Sequence, residues 1–189
     1  MARLFLPSME RGAGRPRFRH AAYQVETNGR RFAGIRDLVL CRTRRPVNFF
    51  AYPGKPSHPE SPNSSLMDLC DPEMDVAWTM EALADRVGAG TAPLASANPL
   101  EMSDLSSGTA PAESVAQTIA ALVHEGAIIV NEAVTSGLPI PSATATARPH
   151  DLLASTDGAI GQDLPLAVGA AVACPDRPVI ALTGDGFAM

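Results

Sequence analysis

With 189 residues, 46% of them hydrophobic and 19% charged, the chain has the composition of a soluble globular protein, which excludes wholesale disorder and a disulfide-stapled miniature. Its longest apolar run, Leu164 to Cys174, is interrupted by Pro165 and falls far short of the roughly 20 residues of a membrane span. The net charge of -5 hides an asymmetry: residues 1 to 60 carry 12 of the 15 Lys and Arg but 4 of the 20 acids, so the two ends read as different pieces of structure.

The amino terminus has several arginines and Glu10 but no apolar core followed by a small-residue cleavage site, so no secretory signal is expected. Cys41, Cys70 and Cys174 are odd in number and lack CxxC spacing. That pattern fits buried thiols in a reducing cytoplasm better than disulfides or a thiolate metal site.

Residues 1–35 form a poorly specified basic stretch, rich in Arg and Gly and without a sustained period of 2 or 3.6. Asp37 to Cys41 and Val47 to Tyr52 have strand composition, and Pro53-Gly-Lys-Pro56 must stop the second. Leu66 to Leu69 is a third candidate strand. Val76, Met80, Leu83 and Val87 then recur as one stripe of an amphipathic helix ending at Gly88 or Gly90. We read 36–90 as a partial α/β domain and the Gly, Ala, Ser, Thr and Pro-rich stretch 91–107 as a linker.

A second helical stripe, Val115, Ile119, Leu122 and Val123, is opened by Pro111 and Glu113 and is expected to stop at Gly126. Ala127 to Asn131 predicts a buried strand, Leu164 to Ala173 a buried helix and Val179 to Thr183 a second buried strand. The expected fold class of 108–189 is therefore α/β with a parallel sheet, a class that binds ligands just outside the carboxyl ends of its strands. The exposed edge of such a sheet is expected to recruit other chains and limit solubility.

At one of those ends stands Gly184-Asp185-Gly186. A carboxylate there suits a hard cation such as Mg2+, and the glycines let a phosphate approach the backbone. Taken alone, the tripeptide reads equally well as a tight turn. Upstream lie Gly158-Ala-Ile-Gly161, Leu164 to Ala173 and Pro175-Asp-Arg-Pro178, and further left Val130-Asn-Glu-Ala-Val-Thr-Ser-Gly137 and Phe49 to Ser57. Together these peptides resemble thiamine-diphosphate-dependent enzymes of the acetolactate synthase and benzoylformate decarboxylase group, over roughly residues 36 to 189.

The resemblance implies thiamine diphosphate and Mg2+ as cofactors. Asp185 matches the metal ligand, with Gly184, Gly186 and Phe187 beside the diphosphate. Gly158 and Ile160 match the segment that holds the aminopyrimidine and supports the bent cofactor, and Thr135 and Ser136 match the diphosphate contacts. Ile160 reads otherwise as plain core, and Thr135 and Ser136 as loop hydroxyls. Glu132 invites a catalytic reading, but the family's activating glutamate lies in a separate amino-terminal domain. His150 reads as a loop histidine, solvated or facing a substrate.

The implied chemistry is decarboxylation of a 2-oxo acid followed by release or carboligation, with the cofactor as electron sink, in proteins whose full-length forms are homo-oligomers. Asp163 stands where relatives have glycine, and Phe187 where they have a small residue. The family pattern also continues beyond Gly186 to an asparagine pair that completes the metal site. The sequence thus resembles the end of a Rossmann-like central domain joined to the start of a diphosphate-binding domain, expected to be inactive alone. The alternatives are a non-catalytic remnant or a phosphate-ligand-binding fragment. Nucleic-acid binding by the basic stretch lacks any aromatic platform or motif.

Overall fold

The computed structural model describes residues 8–16, 21–89, 97–105, 107–155 and 158–187. In chain order the elements are β1 (Ser8–Arg11), α1 (Val25–Phe32), β2 (Asp37–Cys41), β3 (Ser65–Cys70), α2 (Val76–Arg86), α3 (Ala112–Leu122) and β4 (Ile128–Asn131). There follow α4 (Val134–Gly137), α5 (Ile140–Ala143), β5 (His150–Ala154), α6 (Asp163–Ala173) and β6 (Val179–Leu182), with 3-10 turns at Thr144–Thr146 and Asp185–Phe187. Two compact units result, one from residues 21–89 and one from 8–16 together with the described residues from 97 onward.

In the first unit β2 and β3 form a parallel pair. Residues 47 to 52, expected as a strand, are not one. The segment is anchored instead through the Asn48 side chain: buried Asn28 donates to Ala22 O at 2.7 Å and to Asn48 Oδ1 at 2.9 Å, and Asn48 donates to Pro56 O at 2.9 Å. Phe49, Phe50 and Tyr52 cluster with Tyr23, ring centroids 4.6 to 5.8 Å apart, so aromatic packing replaces a ladder. Asp75 caps α2 by accepting from the Trp78 N–H at 3.1 Å, and Gly88 ends it at φ +66. The expected apolar stripe is nevertheless only half covered, because Met80 and Val87 are exposed.

The second unit holds a four-stranded sheet in the order β1-β5-β4-β6. β4 is parallel to both β5 and β6, and β1 lies antiparallel on β5. Alternation along β4 sends Ile129 to one face, with Ala116, Ala120, Val123, Ile140 and Leu152, and Ile128 and Val130 to the other, with Ala167. Helices thus cover both faces of a sheet whose β4, β5 and β6 are parallel, the α/β layering expected.

Four local expectations fail for tertiary reasons. Residues from the poorly specified amino-terminal stretch form β1, because β5 offers them a strand edge, and α1, which buries Val25 and Phe32. α3 stops at Leu122 rather than at Gly126, its last carbonyls receiving the Arg148 guanidinium (Ala121 O 3.3 Å, Val123 O 3.2 Å). β6 is a half-buried edge strand rather than a buried one. α6 buries only Asp163 and Ala167, while Leu164, Val168 and Val172 face outward at 39%, 64% and 78% exposure.

His150 opens β5 rather than sitting in a loop, and is 3% exposed. Its Nδ1 lies 2.7 Å from Arg148 O, so Nδ1–H donates and Nε2 keeps a buried lone pair without a partner among the described residues. Desolvation pushes its pKa below the ordinary histidine value; Arg11 adds to this, while the Arg148 carbonyl and Asp151 oppose it. A depressed folded-state pKa means that stability is complete above the unfolded value of about 6.5 and is lost as pH falls below it. Urea unfolding at about pH 7 and about pH 5.5 should show the loss, and His150→Asn should flatten it; an unchanged slope would show that His150 takes up its proton alike in the folded and unfolded chain.

Candidate functional site

Because β4, β5 and β6 are parallel, their carboxyl ends share one edge of the sheet. Asn131, at the end of β4, is in register with Ala154 and with Leu182. The segments that leave this edge begin at Glu132, Ser155 and Thr183, and the Glu132 N–H is tied to Leu182 O at 2.9 Å. All the sequence-predicted site residues lie in these three segments. His150 does not: it stands at the opposite, amino-terminal end of β5, which removes it from a substrate-facing position on this edge.

The first segment is shaped by Asn131. Its Oδ1 accepts from the Ala133 N–H at 3.2 Å and its Nδ2 donates to Gly137 O at 3.0 Å, folding α4 into a tight turn that leaves Thr135 and Ser136 exposed. Val134 enters this turn at φ 32, a left-handed conformation that costs a β-branched residue about 1–3 kcal/mol. A Cβ on Gly137 would run into the Asn131 amide, which would have to shift and loosen the clamp. Gly137→Ala should therefore destabilise the unit by about 2 kcal/mol in chemical unfolding; a loss below about 0.5 kcal/mol would mean that the clamp yields freely.

The second segment contains Gly158 (φ 73) and Gly161 (φ 87), both left-handed, and the Ser155 hydroxyl donates to Ala159 O at 2.9 Å. Thr156 and Asp157 lie outside the described residues. Ile160 is 69% exposed, so it is not a core residue of this chain. Buried Glu132 reaches across from the end of β4 and accepts from the Gly161 N–H and, at 2.6 Å, from the Asp163 N–H. It thereby satisfies one of the donors that the start of α6 leaves unpaired, at Asp163, and one in the glycine loop just before it, at Gly161.

That geometry makes Glu132 a positioning residue for the glycine loop. It also occupies the α6 terminus, where an anion would otherwise be favoured. The Asp163 side chain, 2% exposed and without a hydrogen-bond partner for its carboxyl oxygens among the described residues, further crowds the same place. A phosphate on this edge is therefore better served by the third segment.

There Asp185 is exposed at the start of its 3-10 turn, closed by Phe187 N–H to Gly184 O at 3.0 Å. The Phe187 ring lies against Gly184, where a Cβ would come within 3.1 Å of it, whereas a Cβ on Gly186 would meet nothing within 4 Å. Among the described residues no three His, Cys, Asp or Glu side chains converge as a metal cage. Two surface concavities of this unit, one beside His124 and Arg148 and one beside Val115 and Thr118, contain none of the predicted residues.

Residues 140–189 match the family model described as thiamine pyrophosphate enzyme, C-terminal TPP binding domain. A Mycobacterium tuberculosis protein named as an acetolactate synthase large subunit, IlvX, is 45% identical over 186 residues, which cover 98% of this chain and 35% of the relative. The chain is thus similar to thiamine-diphosphate-dependent enzymes, and its residues 140–189 match their C-terminal TPP binding domain. Benzoylformate decarboxylase of Pseudomonas aeruginosa is 34% identical over 116 residues, covering 60% of this chain and 22% of that protein. The solved structure of a Mycobacterium smegmatis protein, described as a thiamin diphosphate-dependent enzyme, superposes with a TM-score of 0.64 at 20% identity. It covers 92% of this chain and 37% of that one, and shows the shared fold. The chain thus spans about a third or less of the length of the relatives it matches.

The matched domain and these relatives imply thiamine diphosphate, with Mg2+ as its usual companion. The donor set on the shared edge fits that pair chemically: one exposed carboxylate for a hard cation, an open glycine after it, and two exposed hydroxyls on the neighbouring segment. Sequence reasoning overlooked the supporting groups, namely the Asn131 clamp on Gly137 and the Glu132 cap on Asp163. Their signal was present in the Asn131-Glu132 pair directly after an apolar strand, since side chains at a strand end reach the adjoining loops.

Proposed function

We propose that the second unit binds thiamine diphosphate with Mg2+ at the carboxyl ends of β4, β5 and β6. It would do so as part of an acetolactate synthase-like protein that decarboxylates or carboligates 2-oxo acids. The observation that carries this reading is the parallel register that delivers the segments at Thr135, Gly158 and Asp185 to one edge. In this reading Asp185 is the protein's metal ligand, and Gly184, Gly186 and Phe187 flank the diphosphate. Thr135 and Ser136 supply hydroxyl donors, and exposed Ile160 with Gly158 meets the organic part of the cofactor.

When bound, the cofactor supplies the electron sink for decarboxylation; the residues described here bind and orient it. We further propose that 36–90 is part of a central domain, 91–107 a linker and 108–189 the beginning of the diphosphate domain. The chain is inactive alone in this scheme, and a 2-oxo acid is turned over only with further segments. The outward Leu164, Val168 and Val172 stripe on α6 supports coverage by more protein, as in a homo-oligomer. The odd number of cysteines supports a cytoplasmic setting.

One observation favours a second reading, a non-catalytic remnant or phosphate-ligand-binding fragment: the Phe187 ring already occupies the face of Gly184. Calorimetric titration of the folded chain with thiamine diphosphate, with and without Mg2+, separates the two. Saturable, Mg2+-dependent heat is expected. Its absence from a chain that still melts cooperatively would leave the remnant reading in place.

A further inference from the structure

The parallel β2–β3 pair shifts register between Leu40 and Cys41, and the shift sets Cys41 opposite Cys70. Their sulfurs are 3.3 Å apart. A disulfide requires about 2.05 Å, so the two atoms need close by little more than about 1 Å, which small side-chain rotations supply. Cys70 is 5% exposed, whereas Cys41 is only half-buried. One thiol is thus open to attack from solution and the other is shielded directly behind it. The chain leaving Cys41 carries Arg42 and Arg44, both exposed, which favours the approach of an anionic reagent.

We propose that Cys41 and Cys70 form a redox-modification site, a dithiol that a small-molecule disulfide such as oxidised glutathione converts into an intramolecular disulfide. The Cys41 thiolate attacks one glutathione sulfur, expelling the first glutathione thiolate and forming a mixed disulfide. The Cys70 thiolate then attacks Cys41 Sγ and expels the second glutathione. Two protein thiols are oxidised, one glutathione disulfide is reduced to two glutathiones, and the two protons pass to the departing thiolates. The closed bond joins β2 to β3 where both strands end.

The hydrogen bond with Cys70, followed by burial, pushes the Cys41 thiol up from its ordinary value. Only the thiolate reacts, so the reaction is slow near neutrality and quickens as pH rises. Cys174 has no such neighbour in register and serves as an internal reference.

The test treats the full chain with oxidised glutathione at about pH 7 and about pH 8.5, alkylates the remaining thiols and maps the peptides without reduction. A Cys41–Cys70 linked peptide is expected, with Cys174 alkylated and several-fold faster linkage at the higher pH. A urea-unfolded sample should lose the selectivity. Cys70→Ser should stop at a glutathione adduct on Cys41. Alkylation of both cysteines in the treated native chain would overturn the proposal. So would a persistent glutathione adduct on Cys41 with Cys70 free, or linkage of either cysteine to Cys174 or to a second chain. None of these outcomes depends on cofactor binding.

Discussion

Replacing Glu132 by alanine is expected to lower the unfolding free energy by about 3 kcal/mol, measured by urea denaturation. The carboxylate accepts two backbone N–H bonds, from Gly161 and Asp163, and hydrogen bonds to a charged group contribute about 1.5–3 kcal/mol each. The lower end of the summed range is expected, because two bonds to one carboxylate do not contribute additively. Glu132→Gln keeps one acceptor but turns an amide donor toward the second N–H, so an intermediate loss is expected. A cost below about 1 kcal/mol for the alanine variant would show that the loop and the start of α6 hold their places without the cap. The effect matters for function because the same bonds set where Gly158 and Ile160 stand.

The second large effect concerns binding. Asp185→Ala should weaken Mg2+-dependent thiamine diphosphate binding by roughly a hundredfold or more, about 2.7 kcal/mol, in the titration described above. Asp185 is exposed and opens a short turn, so its removal should change the unfolding free energy by less than about 0.5 kcal/mol. That contrast isolates the ligand role from folding. Asp185→Asn retains an oxygen without the charge and should fall between wild type and alanine, since a hard cation prefers a carboxylate. Equal affinity in the alanine variant would show that the cation is held elsewhere. Loss of affinity accompanied by loss of cooperativity would mark the turn as structural.

Legibility was uneven, and the unevenness has physical causes. Asp37 to Cys41, the helix from Val76, the helix after Pro111, and strands β4 and β6 were readable because local apolar runs and caps specify them whatever they pack against. The 47 to 52 segment misled because its aromatic residues favour strands, yet they pack on Tyr23 while Asn28 and Asn48 take the hydrogen bonds. β5 was missed because His150-Asp151 interrupts its apolar pattern. The interruption is tolerated since Asp151 pairs with Arg177 at 2.5 Å and His150 bonds the Arg148 carbonyl. Covering the faces was also beyond local pattern: α6 is apolar all round, but a helix lying on a sheet buries only the flank that touches it.

By itself the sequence determined the class of fold, the resemblance to thiamine-diphosphate-dependent enzymes and the chemical types at the candidate site, because glycines, a strand-end carboxylate and apolar runs carry local and compositional meaning. Tertiary structure alone decided which of these residues share an edge, since three segments separated along the chain meet only when β4 pairs with β5 on one side and β6 on the other. It alone decided that Glu132 reaches the Gly161 and Asp163 N–H groups, that Ile160 is exposed, and that Cys41 faces Cys70. Each of these depends on a register or a reach between distant segments, and such distances are set by packing rather than by spacing in the chain.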